Sequence, residues 1–160
     1  MGLQEHEDAP NFTVPIADQE NIDTFTLNAA VGNGPIVLAF IPGAFTSTCT
    51  EEVCEFRDTL DFFEELNADV YGVSVDPPPV LQRFIEEYDL NFPMLSDFDQ
   101  EVIVEYGVVI EELAGLYGPV ADRAIFVIDD EGKITYKWVA ENPGVLPDMS
   151  EVKQAVSEAA

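Results

Sequence analysis

Two unbroken apolar runs, IVLAFI at 36–41 and VYGVSV at 70–75, constrain the fold more than any other feature of this 160-residue chain. Neither alternates polar with apolar positions, the pattern of strands covered on both faces. Between them Val53, Phe56, Leu60, Phe63 and Leu66 recur at steps of three and four, with acids in the gaps. That period predicts an amphipathic helix from Thr48 to about Asn67. Strand, helix and strand in this order predict parallel pairing of the two strands.

The flanking segments extend the scheme. Residues 10–16 and 22–27 alternate around Asp18-Gln19-Glu20-Asn21 and predict a leading hairpin. The triple proline at 77–79 opens a helix around 79–89, NFPML at 91–95 is a short segment, and 99–108 predicts a helix ending at Gly107. RAIFVID at 123–129 and ITYKWVA at 134–140 flank the turn Asp130-Glu131-Gly132-Lys133 as a second hairpin. A terminal helix follows Pro147. The expected fold is α/β and thioredoxin-like, with an N-terminal β-hairpin extension and a central mixed sheet flanked by helices. Residues 1–160 are the size of one domain, with only the first nine residues and the last few expected to be loose.

Charge limits the partners. The chain carries 32 Asp and Glu against six Lys and Arg, a formal net charge of -26. Such a surface repels nucleic acid and anionic membranes. The acids are spread between apolar segments rather than gathered in a tail, which points to a concentrated-salt cytoplasm, as in a halophilic archaeon, rather than to nucleic-acid mimicry. At molar salt the Debye length is about 3 Å, so self-repulsion is screened. No apolar stretch approaches the ~20 residues that cross a bilayer, and the acidic start MGLQEHEDAP is unlike a signal peptide, so a cytoplasmic location is expected. His6 is the only histidine and neither a GxGxxG nor a P-loop occurs, so no metal or cofactor is expected. In a reducing compartment, two cysteines point to catalysis or redox switching.

The chemistry gathers at Pro42-Gly43-Ala44-Phe45-Thr46-Ser47-Thr48-Cys49, where a buried strand gives way to the long helix. Loops at the carboxyl ends of parallel strands carry the sites of α/β proteins. Thr48 followed by Glu51 is a capping-box pattern that places Cys49 in the first turn, where free amides and the macrodipole favour an anion. Polar neighbours (Thr46, Ser47, Thr48, Thr50) argue against a plain core role for the sulfur. Arg123 opens an otherwise apolar strand, whereas Arg57 and Arg83 lie among acids on helices as surface cations. A guanidinium from Arg123 would counter Glu51 and Glu52, whose charges disfavour a thiolate.

Pro42, Thr46 and Cys49 form P-x-x-x-T-x-x-C, and with APNFTVP, FRD at 56–58 and RAIFVIDDEGKITYKW the chain resembles the peroxiredoxins along nearly its whole length. The resemblance implies a thiol peroxidase in which Cys49 attacks a hydroperoxide. It further implies that the Thr46 hydroxyl and main-chain amides hold the peroxide, that Pro42 shields the thiol, and that Arg123 reaches the sulfur. Thiolate supply alone does not make such an enzyme fast. Lowering any thiol from pKa about 8.5 to about 6 raises its anion roughly 30-fold at neutral pH. A Brønsted slope of about 0.45 removes about 13-fold of intrinsic nucleophilicity. The larger effect must come from donors that stabilise the departing oxygen, namely Thr46, Arg123 and the amides of the Cys49 turn.

Cys54, five residues on, has the spacing of the Q-type members, which implies a resolving intramolecular disulfide. In an intact helix the two α-carbons lie about 9 Å apart, beyond the roughly 7 Å limit for a bridge, so the first turns must unwind. Cys54 also sits beside Val53 on the apolar stripe, so simple packing, with resolution by an external thiol, stays open. A dithiol–disulfide oxidoreductase ranks lower because CxxC is absent, and a holdase using Phe45 and Phe98 is a third class. The resemblance implies a thioredoxin or glutaredoxin-like reductant and a monomer or homodimer.

Overall fold

The computed structural model describes residues 4–160. Strands β1 (Thr13–Ala17) and β2 (Ile22–Thr26) form the leading hairpin, and a single-turn α1 (Leu27–Ala30) follows. Then come β3 (Ile36–Phe40), α2 (Ser47–Glu65), β4 (Asp69–Ser74), α3 (Pro78–Glu87), β5 (Met94–Ser96) and α4 (Glu101–Glu105). A two-residue pair, β6 (Val109–Ile110) and β7 (Val120–Ala121), precedes the second hairpin of β8 (Ala124–Ile128) and β9 (Ile134–Val139), and α5 (Met149–Ala159) closes the chain.

Seven strands make one mixed sheet in the order β2-β1-β5-β4-β3-β8-β9. The two apolar runs pair in parallel as expected, Val37 opposite Val70 and Phe40 opposite Val73. On its other edge β3 runs antiparallel to β8, Phe40 opposite Ala124. Every residue of β3 and β8 is buried, because helices cover both faces. Val37, Ala39 and Ile41 face Phe56 and Phe63 of α2, Leu81 and Phe84 of α3 and Val152 and Val156 of α5. The alternate residues Ile36, Leu38 and Phe40 face Ile103 and Tyr106 beside α4 and Phe12 and Phe25 from the leading hairpin. Period two in the strands and period 3.6 in the helices thus converge on two packed layers.

Several boundaries differ from expectation. The helix α2 ends at Glu65 and α4 at Glu105, each two residues early, because Leu66-Asn67 and Tyr106-Gly107 close with tight turns, Asn67 and Gly107 adopting positive φ. Of the nine leading residues expected to be loose, 1–3 lie outside the described residues, and the others are tied down. Asp8 bridges Lys133, and the amides of His6 and Ala9 donate to the carbonyls of Ile134 and Gly132. The other end is helical to Ala159. No helix among the described residues is long and apolar enough to cross a membrane.

Candidate active site at the start of α2

The sheet delivers two segments to one point. After β3, Pro42 and Gly43 stay buried and the chain turns through Ala44 and Phe45 into α2. One register step away, Arg123 immediately precedes Ala124, the partner of Phe40. Antiparallel pairing of β3 with β8 therefore sets the arginine beside the loop that carries Cys49, 74 residues earlier in sequence.

Thr46, not Thr48, is the N-cap of α2, and no side chain caps the helix. The expected Thr48–Glu51 capping box is not formed, because α2 already begins at Ser47. The Thr46 hydroxyl donates to the Gly43 carbonyl at 2.8 Å, while the Thr46 carbonyl accepts from the amide and the hydroxyl of Thr50 at 2.9 and 2.8 Å. Cys49 still lies in the first turn, among amides that have no partner within the helix. Its sulfur is more enclosed than the polar flanks suggested. The residue is 0% exposed and belongs to the same packed layer as Val53 and Phe56.

Arg123 turns inward and is 2% exposed. Its Nη2 donates to Cys49 Sγ at 3.2 Å, its Nη1 to Glu52 Oε1 at 2.6 Å and its Nε to the Pro143 carbonyl at 2.9 Å. Burial works against the charge, but pairing with Glu52 and the sulfur outweighs it and holds the guanidinium above its usual value. Pro42, Thr46, Ser47 and Thr48 line a cleft of about 180 Å³ with Leu113, Arg123, Pro143 and Gly144. Its walls combine polar hydrogen-bonding groups at the helix mouth with apolar proline and leucine surface.

Of the two acids that Arg123 was expected to counter, it meets Glu52 alone. Glu51 is exposed, whereas Glu52 is 1% exposed and holds Arg123. Burial pushes its carboxyl up to about 7 against the opposing pull of Arg123, and Oε2 has no hydrogen-bond partner among the described residues. A signal was present in the sequence: Glu52 lies three residues after Cys49 and four before Phe56, so it interrupts the buried stripe with an acid. The Pro143 carbonyl was missed because a backbone acceptor leaves no trace in residue type.

Cys54 is half-buried and unbonded to Cys49, and α2 runs intact through both. Arg57, one turn on, pairs with Asp58 at 3.0 Å. Arg57 is also more than the surface cation expected, since its Nη1 donates to the Tyr88 carbonyl at 2.7 Å and ties α2 to the end of α3. Arg83 does lie at the surface, paired with Glu86 and Glu87.

The sequence profile of the AhpC/TSA family matches residues 6–137. The chain belongs to this family. Peroxiredoxin Bcp of Escherichia coli K12 is 35% identical to it over 131 residues, covering 80% of each chain. The crystal structure of peroxidoxin BcpB from Mycobacterium tuberculosis superposes with a TM-score of 0.84 at 29% identity, over 99% of both chains. That of a mutant PrxQ from Xylella fastidiosa gives 0.84 at 23% identity, covering 99% of this chain and 98% of that one, a likeness of fold. The thioredoxin-like plan expected from the sequence is therefore the fold, and thiol-dependent peroxide reduction is the activity of this AhpC/TSA member.

Proposed function

We propose that Cys49 is the nucleophile, attacking the outer oxygen of a hydroperoxide as its O–O bond breaks. Sulfur is oxidised to a sulfenic acid, the peroxide is reduced, and the departing oxygen takes a proton to leave as water or an alcohol. The observation that carries this reading is the buried guanidinium of Arg123 at 3.2 Å from the buried sulfur. It stabilises negative charge on sulfur and, as the bond breaks, on the oxygen beside it. With Glu52 protonated, as its elevated value allows near neutrality, the guanidinium charge is left to the sulfur and the substrate. Thr46 and the free amides of α2 position the peroxide, and Pro42 shields the sulfur from bulk water.

The sulfenic acid is resolved by the Cys54 thiol, releasing water and leaving a 49–54 disulfide, after the first turns of α2 unwind. The buried sulfur and the intact helix favour a second route, in which an external thiol finishes the cycle. In either case a thioredoxin-type dithiol supplies the electrons, in the kind of reducing, cytoplasmic setting that keeps two thiols free. Mass spectrometry after one equivalent of peroxide at high salt tests both points. Oxidation confined to Cys49, followed by loss of two hydrogens linking 49 and 54, is expected. Oxidation elsewhere refutes Cys49 as nucleophile, and a persistent sulfenic acid at Cys49 selects the external thiol.

A further inference from the structure

Asp76, in the turn after β4, is fixed from below by two buried serines. Ser96 Oγ donates to the Asp76 carbonyl at 2.7 Å, and the Asp76 amide donates to Ser74 Oγ at 3.1 Å. The Ser74 hydroxyl also donates to the Asp76 carboxylate through a short contact to Oδ2. Ser74 and Ser96 are 0% and 1% exposed and sit opposite each other in the parallel pair of β4 and β5, so this frame belongs to the rigid sheet. One contact leaves the frame towards the site: Asp76 Oδ2 accepts the amide of Ala44 at 2.8 Å.

That amide lies at a sensitive place. Ala44 is followed by Phe45, a non-glycine residue at φ +67°, a conformation that persists only where the surroundings enforce it. Phe45 is followed by Thr46, which lines the cleft. The Phe45 ring packs on Phe84 and Tyr88 of the α3 end at 5.0 and 6.3 Å but remains 47% exposed, so packing holds it from one side only. Downstream, Arg57 is fastened to the same Tyr88 and Phe56 is fully buried. The first turns of α2 thus lie between two anchors, Ala44–Phe45 and Phe56–Arg57.

We propose that Asp76 is a positioning residue whose bond to the Ala44 amide holds the loop before α2 in the wound form that reacts with peroxide, and thereby restrains the unwinding that lets Cys54 reach Cys49. The second half rests on Cys54 as the resolving thiol, while the first half stands without it. Losing the bond has opposed effects on two steps. Peroxide attack needs Thr46 and the helix mouth in place, and slows. Disulfide formation needs α2 open, and speeds up. A residue that merely stabilises the fold would not produce opposed changes.

The test uses the full chain at molar salt, with rapid-quench mass spectrometry reading Cys49 oxidation and 49–54 disulfide formation separately. In Asp76→Ala oxidation is expected to fall at least about tenfold, as for a misplaced reacting group, while disulfide formation accelerates. Asp76→Asn keeps an oxygen that can accept the Ala44 amide, and its oxidation rate is expected to return to near wild type. Should Asp76→Ala fail to fold, Ser74→Ala, which removes the hydroxyl aiming the carboxylate, must show the same opposed shifts at smaller size. Unchanged oxidation in the Ala variants, a fall that Asn does not rescue, or two rates falling together overturns the proposal. If wild type itself forms no disulfide, the Cys54 reading fails, and oxidation with its Asn rescue still decides the role of Asp76.

Discussion

At the scale of single residues, one guanidinium faces the Cys49 sulfur and the Glu52 carboxyl, and the proton affinity of the carboxyl is linked to stability. Glu52 holds its proton up to about pH 7 when folded, against an ordinary 4.5. A carboxyl raised by folding contributes stability that is fully present below about pH 4.5 and lost as pH rises through 7. The span corresponds to on the order of 3 kcal/mol. Glu52→Gln is therefore expected to flatten the decline in unfolding free energy between pH 4.5 and 7, measured by denaturant titration at fixed high salt. An unchanged slope would contradict the assigned burial cost. The gathering of Pro42, Thr46 and Arg123 around Cys49 was legible from the P-x-x-x-T-x-x-C spacing, the resemblance it carries and an arginine that opens an apolar strand. The meeting of Glu52 with the Arg123 guanidinium was legible, but its burial was not, since charge alone does not say which acid turns inward. Asp76 was not seen, because its importance comes from an amide in the loop after the neighbouring strand β3, 32 residues earlier in sequence.

At the scale of elements, α4 depends on a carboxylate outside itself. Asp97, 1% exposed, accepts the amides of Val102 and Ile103 at 3.1 and 2.8 Å, and burial raises its proton affinity against those bonds. Asp97→Ala leaves both first-turn donors buried and unpaired. A loss of about 1–2 kcal/mol is expected in chemical denaturation, as for removal of a helix cap, and no loss would show that the turn finds other partners. The strands at 36–41 and 70–75 and the second hairpin were legible because continuous or alternating apolar runs have a single good solution in a covered sheet. The β6–β7 pair and the single-turn α1 were not, since two to four residues carry no measurable period. The capping box failed for a local reason: α2 starts ahead of Thr48, at a cap whose hydroxyl is committed to Gly43.

At the scale of the whole molecule, the surface charge of -26 governs where the fold survives. We expect the protein to lose secondary structure as salt is dialysed from molar to millimolar, read by circular dichroism, because self-repulsion is then felt across tens of ångströms rather than about 3 Å. A constant signal down to millimolar salt would refute adaptation to concentrated salt. The charge reveals nothing of the chemistry, which the sheet creates by placing β3 beside β8. The most direct test of that placement is the second-order rate of Cys49 oxidation by hydrogen peroxide at molar salt in wild type and Arg123→Ala. A fall of about 10²–10³ is predicted, the cost of removing one donor from a developing oxyanion. A rate within a few-fold of wild type, in a variant whose circular dichroism is unchanged, would contradict it.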